Sequence, residues 1–147
     1  MIQATVKRLN EILFELPGKI KGIPEDNLNA VLPGKWSKKE ILGHLCDSAV
    51  NNLSRVIMAQ YSKQPFQIIK YEQEEWVRVN GYRNHSIDYV LNLWSTLNRQ
   101  FIQVISRTEQ EKLNYTIDSD GEFHTLGWLI EDYLKHMEHH LEEIFRK

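Results

Sequence analysis

Apolar residues recur every three or four positions in four long stretches of the chain, at residues 2–16, 37–60, 86–107 and 125–145. This spacing places the apolar side chains of each stretch on one face of an α-helix, which must be buried against other helices. The first face comprises Val6, Leu9, Leu13 and Phe14, and the second comprises Ile41, Leu42, Leu45, Ala49, Leu53, Val56 and Ile57. Pro17-Gly18 predicts the end of the first helix. The pattern therefore predicts four amphipathic helices.

Residues typical of helix ends lie at the borders of these stretches. Ser37 is a good N-cap, and Glu40 three residues later completes a capping box. Ser86 and Thr125 precede the third and fourth stretches and are predicted to cap their first turns. Asn80-Gly81 predicts the end of an additional short helix, because glycine readily adopts the left-handed conformation found there.

The segments between the helices are rich in polar and turn-forming residues. Residues 19–35 and 61–70 are predicted to be loops, and residues 108–121 are mostly polar. Within the last segment, the run at residues 113–117 is too short and isolated to predict a sheet. Four helices without a convincing pair of strands predict an all-α fold. We expect a single domain over residues 1–147, an antiparallel four-helix bundle with long crossover loops.

Composition narrows the classes of function. The chain has 147 residues, a net charge of −2 and a single cysteine, Cys46. This charge provides no basic surface for nucleic acid, and the lone cysteine fits a reducing compartment. No apolar run approaches the roughly 20 residues needed to cross a bilayer, and the N-terminus lacks the apolar core of a signal peptide. We therefore expect a cytoplasmic protein that binds neither nucleic acid nor membranes.

Three of the six histidines lie close together in the last predicted helix. His136 and His140 are spaced i,i+4, so their imidazoles lie one turn apart and can hold one metal ion together. Both lie beside the apolar face, whereas His139 points nearly opposite, toward water. The alternative is that they are half-exposed helix histidines paired with residues such as Glu143 or Asp132. Two ligands do not complete a metal site, so a third must come from elsewhere.

The second predicted helix carries another histidine on its polar side. His44 lies about 60° beyond the edge of the apolar face, on a side that it shares with Asp47, Asn51 and Arg55. The helical wheel neither buries His44 nor removes it from a polar cleft. Cys46 lies about 200° around the helix from His44, so it is a poor candidate for a ligand or nucleophile.

Three segments carry a resemblance to a known family. They are WSKKEILGHLCD at residues 36–47, YEQEEW at residues 71–76 and TLGWLIEDYLKHMEHH at residues 125–140. In order and spacing they cover nearly the whole chain. Together they resemble the DinB/YfiT-like superfamily of small bacterial four-helix bundles.

The resemblance implies a divalent metal, commonly nickel or zinc, held by three histidines. The matching positions are His44 on the second helix and His136 and His140 on the fourth. Three neutral imidazoles leave coordination positions open to water or substrate, which is typical of a reactive site rather than a closed structural one. Asp47 and Glu143 are candidates to accept the second N–H of a ligand, with a solvated helix carboxylate as the alternative for each.

Family members with known activity are similar in chemistry but differ in substrate. Some resemble thiol S-transferases that join a low-molecular-weight thiol, such as bacillithiol or mycothiol, to an electrophile. Some are related to a mycothiol-dependent maleylpyruvate isomerase, and others are described as metal-dependent hydrolases. A metal with open positions lowers the pKa of bound water to about 7 or holds a thiol as its thiolate. Thiol transfer and hydrolysis therefore both depend on a nucleophile that the metal activates.

Three functions therefore remain open from the sequence. We favour transfer of a thiol to a small electrophile, with hydrolysis by metal-bound hydroxide as the alternative. The third is a non-catalytic metal-binding interaction module. Asn51 and Arg55 are candidates to line the cleft and contact an anionic substrate. The family resemblance also suggests a homodimer.

Overall fold

The computed structural model describes residues 2–31 and 35–146. In chain order its elements are α1 (Ile2–Lys21), α2 (Glu25–Asn29), α3 (Lys38–Tyr61), β1 (Phe66–Gln67), α4 (Gln73–Asn80), α5 (Ile87–Ser106), β2 (Thr116–Ser119), β3 (Glu122–Thr125) and α6 (Leu126–Phe145). Short 3-10 helices lie at Tyr82–Asn84 and Gln110–Asn114. Within the described residues, no helix has the length and apolar character needed to cross a membrane.

The four long helices form a bundle in which α1 and α3 each pack against both α5 and α6. Arg8 of α1 pairs with Glu138 of α6 at 3.3 Å. Eleven residues later in α1, the Lys19 ammonium lies 5.9 Å from the ring centre of Phe145. Residue numbers increase together along this contact, so α1 and α6 run parallel.

The neighbours α3 and α5 also run parallel. Cys46 Sγ lies 3.6 Å from the carbonyl oxygen of Val90, and the Gln60 amide donates to Thr108 Oγ1 at 3.2 Å. Consecutive long helices that run parallel require a connection that returns along the bundle, and residues 62–86 provide it. The predicted four-helix bundle with long crossovers is confirmed, with the α1/α6 pair antiparallel to the α3/α5 pair.

The predicted helix ends are confirmed at four positions. Ser37 Oγ accepts from the Glu40 N–H at 3.1 Å, and the Ser37 N–H donates to the Glu40 carboxylate at 3.0 Å, which completes the capping box. The side chains of Ser86 and Thr125 cap α5 and α6. Gly81 follows α4 with a φ of 66°, a left-handed conformation that glycine adopts without strain.

The first helix does not end at Pro17-Gly18, so that prediction is wrong. α1 continues to Lys21 with Pro17 inside it. Proline removes a backbone N–H and normally bends or ends a helix. Here Leu16 and Ile20 are both buried in the core on either side of Pro17, and we infer that their packing offsets its cost.

Two residues assigned to the apolar faces lie outside the core. Phe14 is 88% exposed, because it lies about 200° around α1 from the buried Ile12. Ile57 of α3 is 41% exposed, whereas its neighbour Val56 is fully buried. Periodicity alone does not say how wide a strip of each helix its neighbours cover.

Two connections contain regular structure that the sequence patterns did not predict. The loop predicted over residues 19–35 contains α2, while its residues 32–34 lie outside the described residues. In the sheet, β1 pairs parallel to β2, which pairs antiparallel to β3. The run at residues 113–117 was too short and isolated to predict a sheet, yet its last two residues, Thr116 and Ile117, lie in β2, and Ile117 is fully buried. The partner β1 comes from a distant part of the chain, which no local pattern reveals.

Candidate metal centre

Histidines of α3 and α6 meet where these two helices run antiparallel. At one end of the contact, the Lys38 ammonium donates to the carbonyl oxygen of Arg146 at 3.0 Å. About two turns toward the C-terminus of α3, and toward the N-terminus of α6, His44 faces His136 and His140. The fold thus brings together two helices that are far apart in the sequence.

The three imidazoles lie close enough to share one ion. Ring centres are 5.7 Å apart for His44 and His136, 4.7 Å for His44 and His140, and 4.5 Å for His136 and His140. One nitrogen of each ring lies within 4.8 Å of the other two, and the Nε2 atoms of His136 and His140 are 3.3 Å apart. Two nitrogens bound tetrahedrally to one zinc ion are about 3.4 Å apart. The α6 pair already has this separation.

His44 is fully buried, at 0% exposure. Trp36 covers it, with ring centres 4.8 Å apart. Within the described part of the chain, neither His44 ring nitrogen has a hydrogen-bond partner. A buried polar group without a partner costs about 1–3 kcal/mol, so a bound cation facing this ring would supply the missing interaction. The donor set therefore fits a divalent metal.

The protonation state of the cluster also suits a metal. Burial, followed by the proximity of His140 and His136, lowers the pKa of His44 to about 3. Burial is likewise the main reason that the pKa of His136 is lowered, with His140 second. Both imidazoles are consequently neutral near pH 7, and the neutral form is the one that binds metal.

Glu143 orients one of the three rings. Nδ1 of His140 lies 2.6 Å from the Glu143 carboxylate, so an Nδ1–H donating to it leaves Nε2 as a free lone pair. That Nε2 is the atom facing His136. His139 is exposed and lies outside the cluster of three.

Asp47 does not orient His44 as Glu143 orients His140, because no hydrogen bond joins Asp47 to His44 in the described residues. Its Oδ1 accepts from the Tyr82 hydroxyl at 2.6 Å and from the Asn80 amide at 2.9 Å. Burial raises the pKa of Asp47 to about 6, although these two bonds oppose the shift. The Tyr82 ring can reach Asp47 because residue 43 is glycine: a Cβ on Gly43 would lie 2.2 Å from that ring. The Asp47–Tyr82–Asn80 group ties the turn after α4 to α3.

A cavity of about 360 Å³ opens beside the histidines, between α3 and α6. His136 and Arg55 both lie in its wall, whereas Asn51 does not and instead donates to the carbonyl oxygen of Asp47 at 2.9 Å. The remaining lining residues are Ser48, Asn52, Ile68, Lys70, Tyr71, Gln73, Ser119, Trp128, Leu129, Asp132 and Tyr133. This cavity is large enough for a small-molecule substrate.

Sequence reasoning missed several residues that shape this region. Trp36, the first residue of the WSKKEILGHLCD segment, was not predicted to contact the site, yet its ring covers His44. Tyr133 donates from its hydroxyl to Asn98 Oδ1 at 2.6 Å, which holds a cavity-wall side chain in place. Burial raises the pKa of Tyr133, so it stays a neutral phenol. The Tyr133–Asn98 bond joins residues that are 35 positions apart, which helical spacing could not reveal. Trp36 is only eight residues from His44, but it precedes the helix, so a helical wheel does not place its ring.

Comparison with known proteins matches this architecture to a family. The sequence model of the DinB superfamily matches residues 7–144. The chain belongs to the DinB superfamily. The family membership expected from the sequence resemblance is thereby confirmed.

Relatives of this DinB superfamily chain occur in several Bacillus species. Proteins of Bacillus cereus strain G9842, Bacillus anthracis strain CDC 684 and Bacillus thuringiensis subsp. konkukian strain 97-27 are each 25% identical to it over 146 residues. Each match covers 98% of this chain and 83% of the relative. All three carry the name "Putative metal-dependent hydrolase".

A solved structure shares the fold. YfiT from Bacillus subtilis, described as a probable metal-dependent hydrolase with an unusual four-helix bundle topology, superposes with a TM-score of 0.86 at 18% identity. The match covers 97% of this chain and 83% of YfiT. This DinB superfamily chain therefore has the YfiT bundle topology.

Proposed function

We propose that this protein is a metal-dependent enzyme in which His44, His136 and His140 bind one divalent ion, nickel or zinc, beside the cavity. The observation that carries the proposal is the fully buried His44 ring, whose two nitrogens have no hydrogen-bond partner in the described residues and which faces two further imidazoles. A ring buried in this way loses its hydrogen bonds to water and gains none from the described residues.

The chain's own residues have distinct roles in this proposal. Glu143 holds the Nδ1 proton of His140, so that Nε2 faces the other two rings. Trp36 covers His44 and keeps water from that side of the cluster. His136 lies in the cavity wall, so a substrate in the cavity can reach the centre. When bound, the metal supplies a positive charge that stabilises a thiolate, or lowers the pKa of water, near neutral pH.

The reaction we favour is transfer of a low-molecular-weight thiol to a small electrophile. The thiol sulfur forms a bond to the electrophilic carbon, the leaving group departs with the electron pair of its own bond, and the thiol proton passes to solvent. Two cationic side chains in the cavity wall, Arg55 and Lys70, support this choice, because low-molecular-weight thiols often carry carboxylates. The step needs no additional general base, because the metal favours the thiolate form of the sulfur.

Hydrolysis of an ester or amide is the second candidate. The names of the Bacillus relatives favour it, and those relatives match nearly the full length of this chain. In that reaction water replaces the thiol as nucleophile in the same cavity. The two candidates share the histidine centre and differ only in the nucleophile.

The first experiment tests the centre. Metal content is measured by elemental analysis of the purified protein and of alanine variants at His44, His136 and His140. We expect one divalent ion per chain in the wild type and its loss from each variant. His139→Ala is the matched control, because it removes an exposed imidazole from the same helix and should keep the metal. Retention of metal by all three cluster variants would overturn the proposal.

The second experiment identifies the nucleophile. Metal-loaded protein is assayed with monochlorobimane plus a panel of thiols, and with a panel of activated esters without thiol. Turnover that needs both metal and thiol supports thiol transfer, and metal-dependent ester cleavage without thiol supports hydrolysis. Bound metal with no turnover in either assay would overturn the proposal that the protein is an enzyme and would favour a metal-binding interaction module.

A further inference from the structure

The cavity beside the histidines extends along α3 and α6. On α3, the wall residues follow His44 at intervals of three or four positions, which places them on the same face of the helix. On α6, the wall residues before His136 have the same spacing and form the opposite wall. These residues are Ser48, Asn52 and Arg55 on α3 and Leu129, Tyr133 and His136 on α6. Because the helices are antiparallel, Arg55 lies toward the Leu129 end. At 1.5 Å per residue, Leu129 is about 10 Å along α6 from His136.

Arg55 has an unusual environment for an arginine. It is partly buried, and its guanidinium donates to the carbonyl oxygen of Ile69 at 2.7 Å and to Asn52 Oδ1 at 3.4 Å. The guanidinium also lies 5.5 Å from the ring centre of Tyr71. All three contacts are with uncharged groups. Among residues 2–31 and 35–146, no carboxylate forms an ion pair with Arg55.

The other charges in the cavity wall do not neutralise Arg55. Lys70 pairs with Asp120 at 3.5 Å, and both side chains are mostly exposed. Among the described residues that line the wall, Asp132 of α6 is the one acidic residue, and it is exposed. Arginine keeps its charge in proteins, and a partly buried charge without a counterion is costly. An acidic ligand group would pair with the free N–H groups of the guanidinium in two parallel hydrogen bonds.

We propose that Arg55 binds the acidic group of an elongated substrate or cosubstrate whose reactive end lies at the three histidines. This inference rests on the proposed function and adds the ligand's chemical class and length. The ligand carries a carboxylate or similar anion about 10 Å from its reactive atom, the helical distance between the two ends of the cavity. Arg55 therefore selects ligands by both charge and length.

The test uses thiols as probes of both ends at once. Cobalt(II)-loaded protein is titrated with ω-mercaptooctanoate, with the matched neutral ω-mercaptooctanol, and with the short anion thioglycolate. Binding is followed by the thiolate-to-cobalt charge-transfer absorption, which requires no turnover. We expect the wild type to bind the long carboxylate at least about tenfold more tightly than the alcohol, the effect of a charge-assisted hydrogen-bonded pair.

Variants of Arg55 then assign this preference. Arg55→Met should bind the long carboxylate and the alcohol equally, while its affinity for thioglycolate is unchanged because that thiol is too short to reach. Arg55→Lys should retain part of the preference, since it keeps the charge but not the two-pronged geometry. Arg99→Met, an exposed arginine on α5, controls for the change in net charge. Thermal unfolding checks that each variant is folded.

A second arm separates this inference from the proposed function. Octanoate binding to metal-free protein is measured by isothermal titration calorimetry, and we expect Arg55→Met to weaken it about tenfold. If cobalt is not bound at the histidines, the proposed function fails and this arm alone decides the role of Arg55. An Arg55→Met variant that binds the long carboxylate and octanoate like the wild type would overturn the inference, as would a wild type without preference.

Discussion

Two buried polar side chains on α3, one turn apart, differ in how far the protein satisfies their polar atoms. Asp47 is 1% exposed, and its Oδ1 accepts hydrogen bonds from the Tyr82 hydroxyl and the Asn80 amide, whereas its Oδ2 has no partner in the described residues. His44 is 0% exposed, and neither of its nitrogens has a hydrogen-bond partner in the part of the chain that the structure describes. The partners of Asp47 come from the last residue of α4 and from the 3-10 helix that follows it, whereas the neighbours of His44 are other rings.

This contrast separates a structural polar group from a candidate functional one. Folding stabilises a buried polar side chain when it finds partners, and the Asp47 group holds two elements together in that way. His44 makes no such bond in the described residues, and the metal centre that we propose would supply the missing interaction. Four substitutions test this contrast, and their predicted effects decrease in the order His44, Asp47, Glu143 and Tyr82.

The largest effect should come from metal linkage at His44. At a free zinc concentration 1,000 times the dissociation constant, the metal should raise the free energy of unfolding of the wild type by about 4.1 kcal/mol. His44→Leu should show no such increase. Without metal, the substitution should leave that free energy unchanged or raise it by up to about 3 kcal/mol, because it removes an unpartnered buried imidazole and no hydrogen bond is lost. Urea unfolding with and without zinc measures both. A large destabilisation of the metal-free variant would contradict this account.

The second effect should come from removing the Asp47 carboxylate. Asp47→Ala should lower the free energy of unfolding by about 2–3 kcal/mol, because the Tyr82 hydroxyl and the Asn80 amide lose their acceptor. Metal content should stay at the wild-type level. Asp47→Asn, which keeps an acceptor oxygen, is the control and should be less destabilised. If Asp47→Ala instead lost its metal, the two groups would not be separate.

The third effect concerns the partner of His140. Glu143→Ala should weaken metal binding by about 10- to 100-fold, because Nδ1 of His140 loses the carboxylate that orients the ring. Competition with a chelating dye measures the affinity. Glu142→Ala removes the adjacent exposed carboxylate and should leave the affinity unchanged. Equal losses in both variants would point to general electrostatics rather than to orientation of His140.

The smallest effect should come from a single hydroxyl. Tyr82→Phe removes the 2.6 Å bond to Asp47 but keeps the ring packed on Gly43, so it should cost about 1 kcal/mol. Chemical unfolding measures the change. Tyr89→Phe, at an exposed tyrosine, should cost less. A loss of metal in Tyr82→Phe would show that the Asp47 group supports the histidine centre directly.

Local sequence patterns predicted the helix ends well where the capping hydrogen bonds join residues that are close in the sequence. The capping residues Ser37, Ser86 and Thr125 satisfy N–H groups only three residues away, so the sequence contains both partners. The continuation of α1 through Pro17 was not predicted. Proline disfavours a helix interior, and we infer that the core packing of Leu16 and Ile20 outweighs this preference. The strands were missed because β1 and β2 pair across a long stretch of chain.

Local sequence is sufficient to predict four amphipathic helices, their N-terminal caps and the i,i+4 placement of His136 and His140, because each depends on residues within a turn or two of one another. The burial of His44, and the lack of an acidic partner for Arg55 among the described residues, became visible only in the folded chain. These features depend on which helices become neighbours and in which direction they run. Such contacts join distant residues, and helical periodicity contains no information about them.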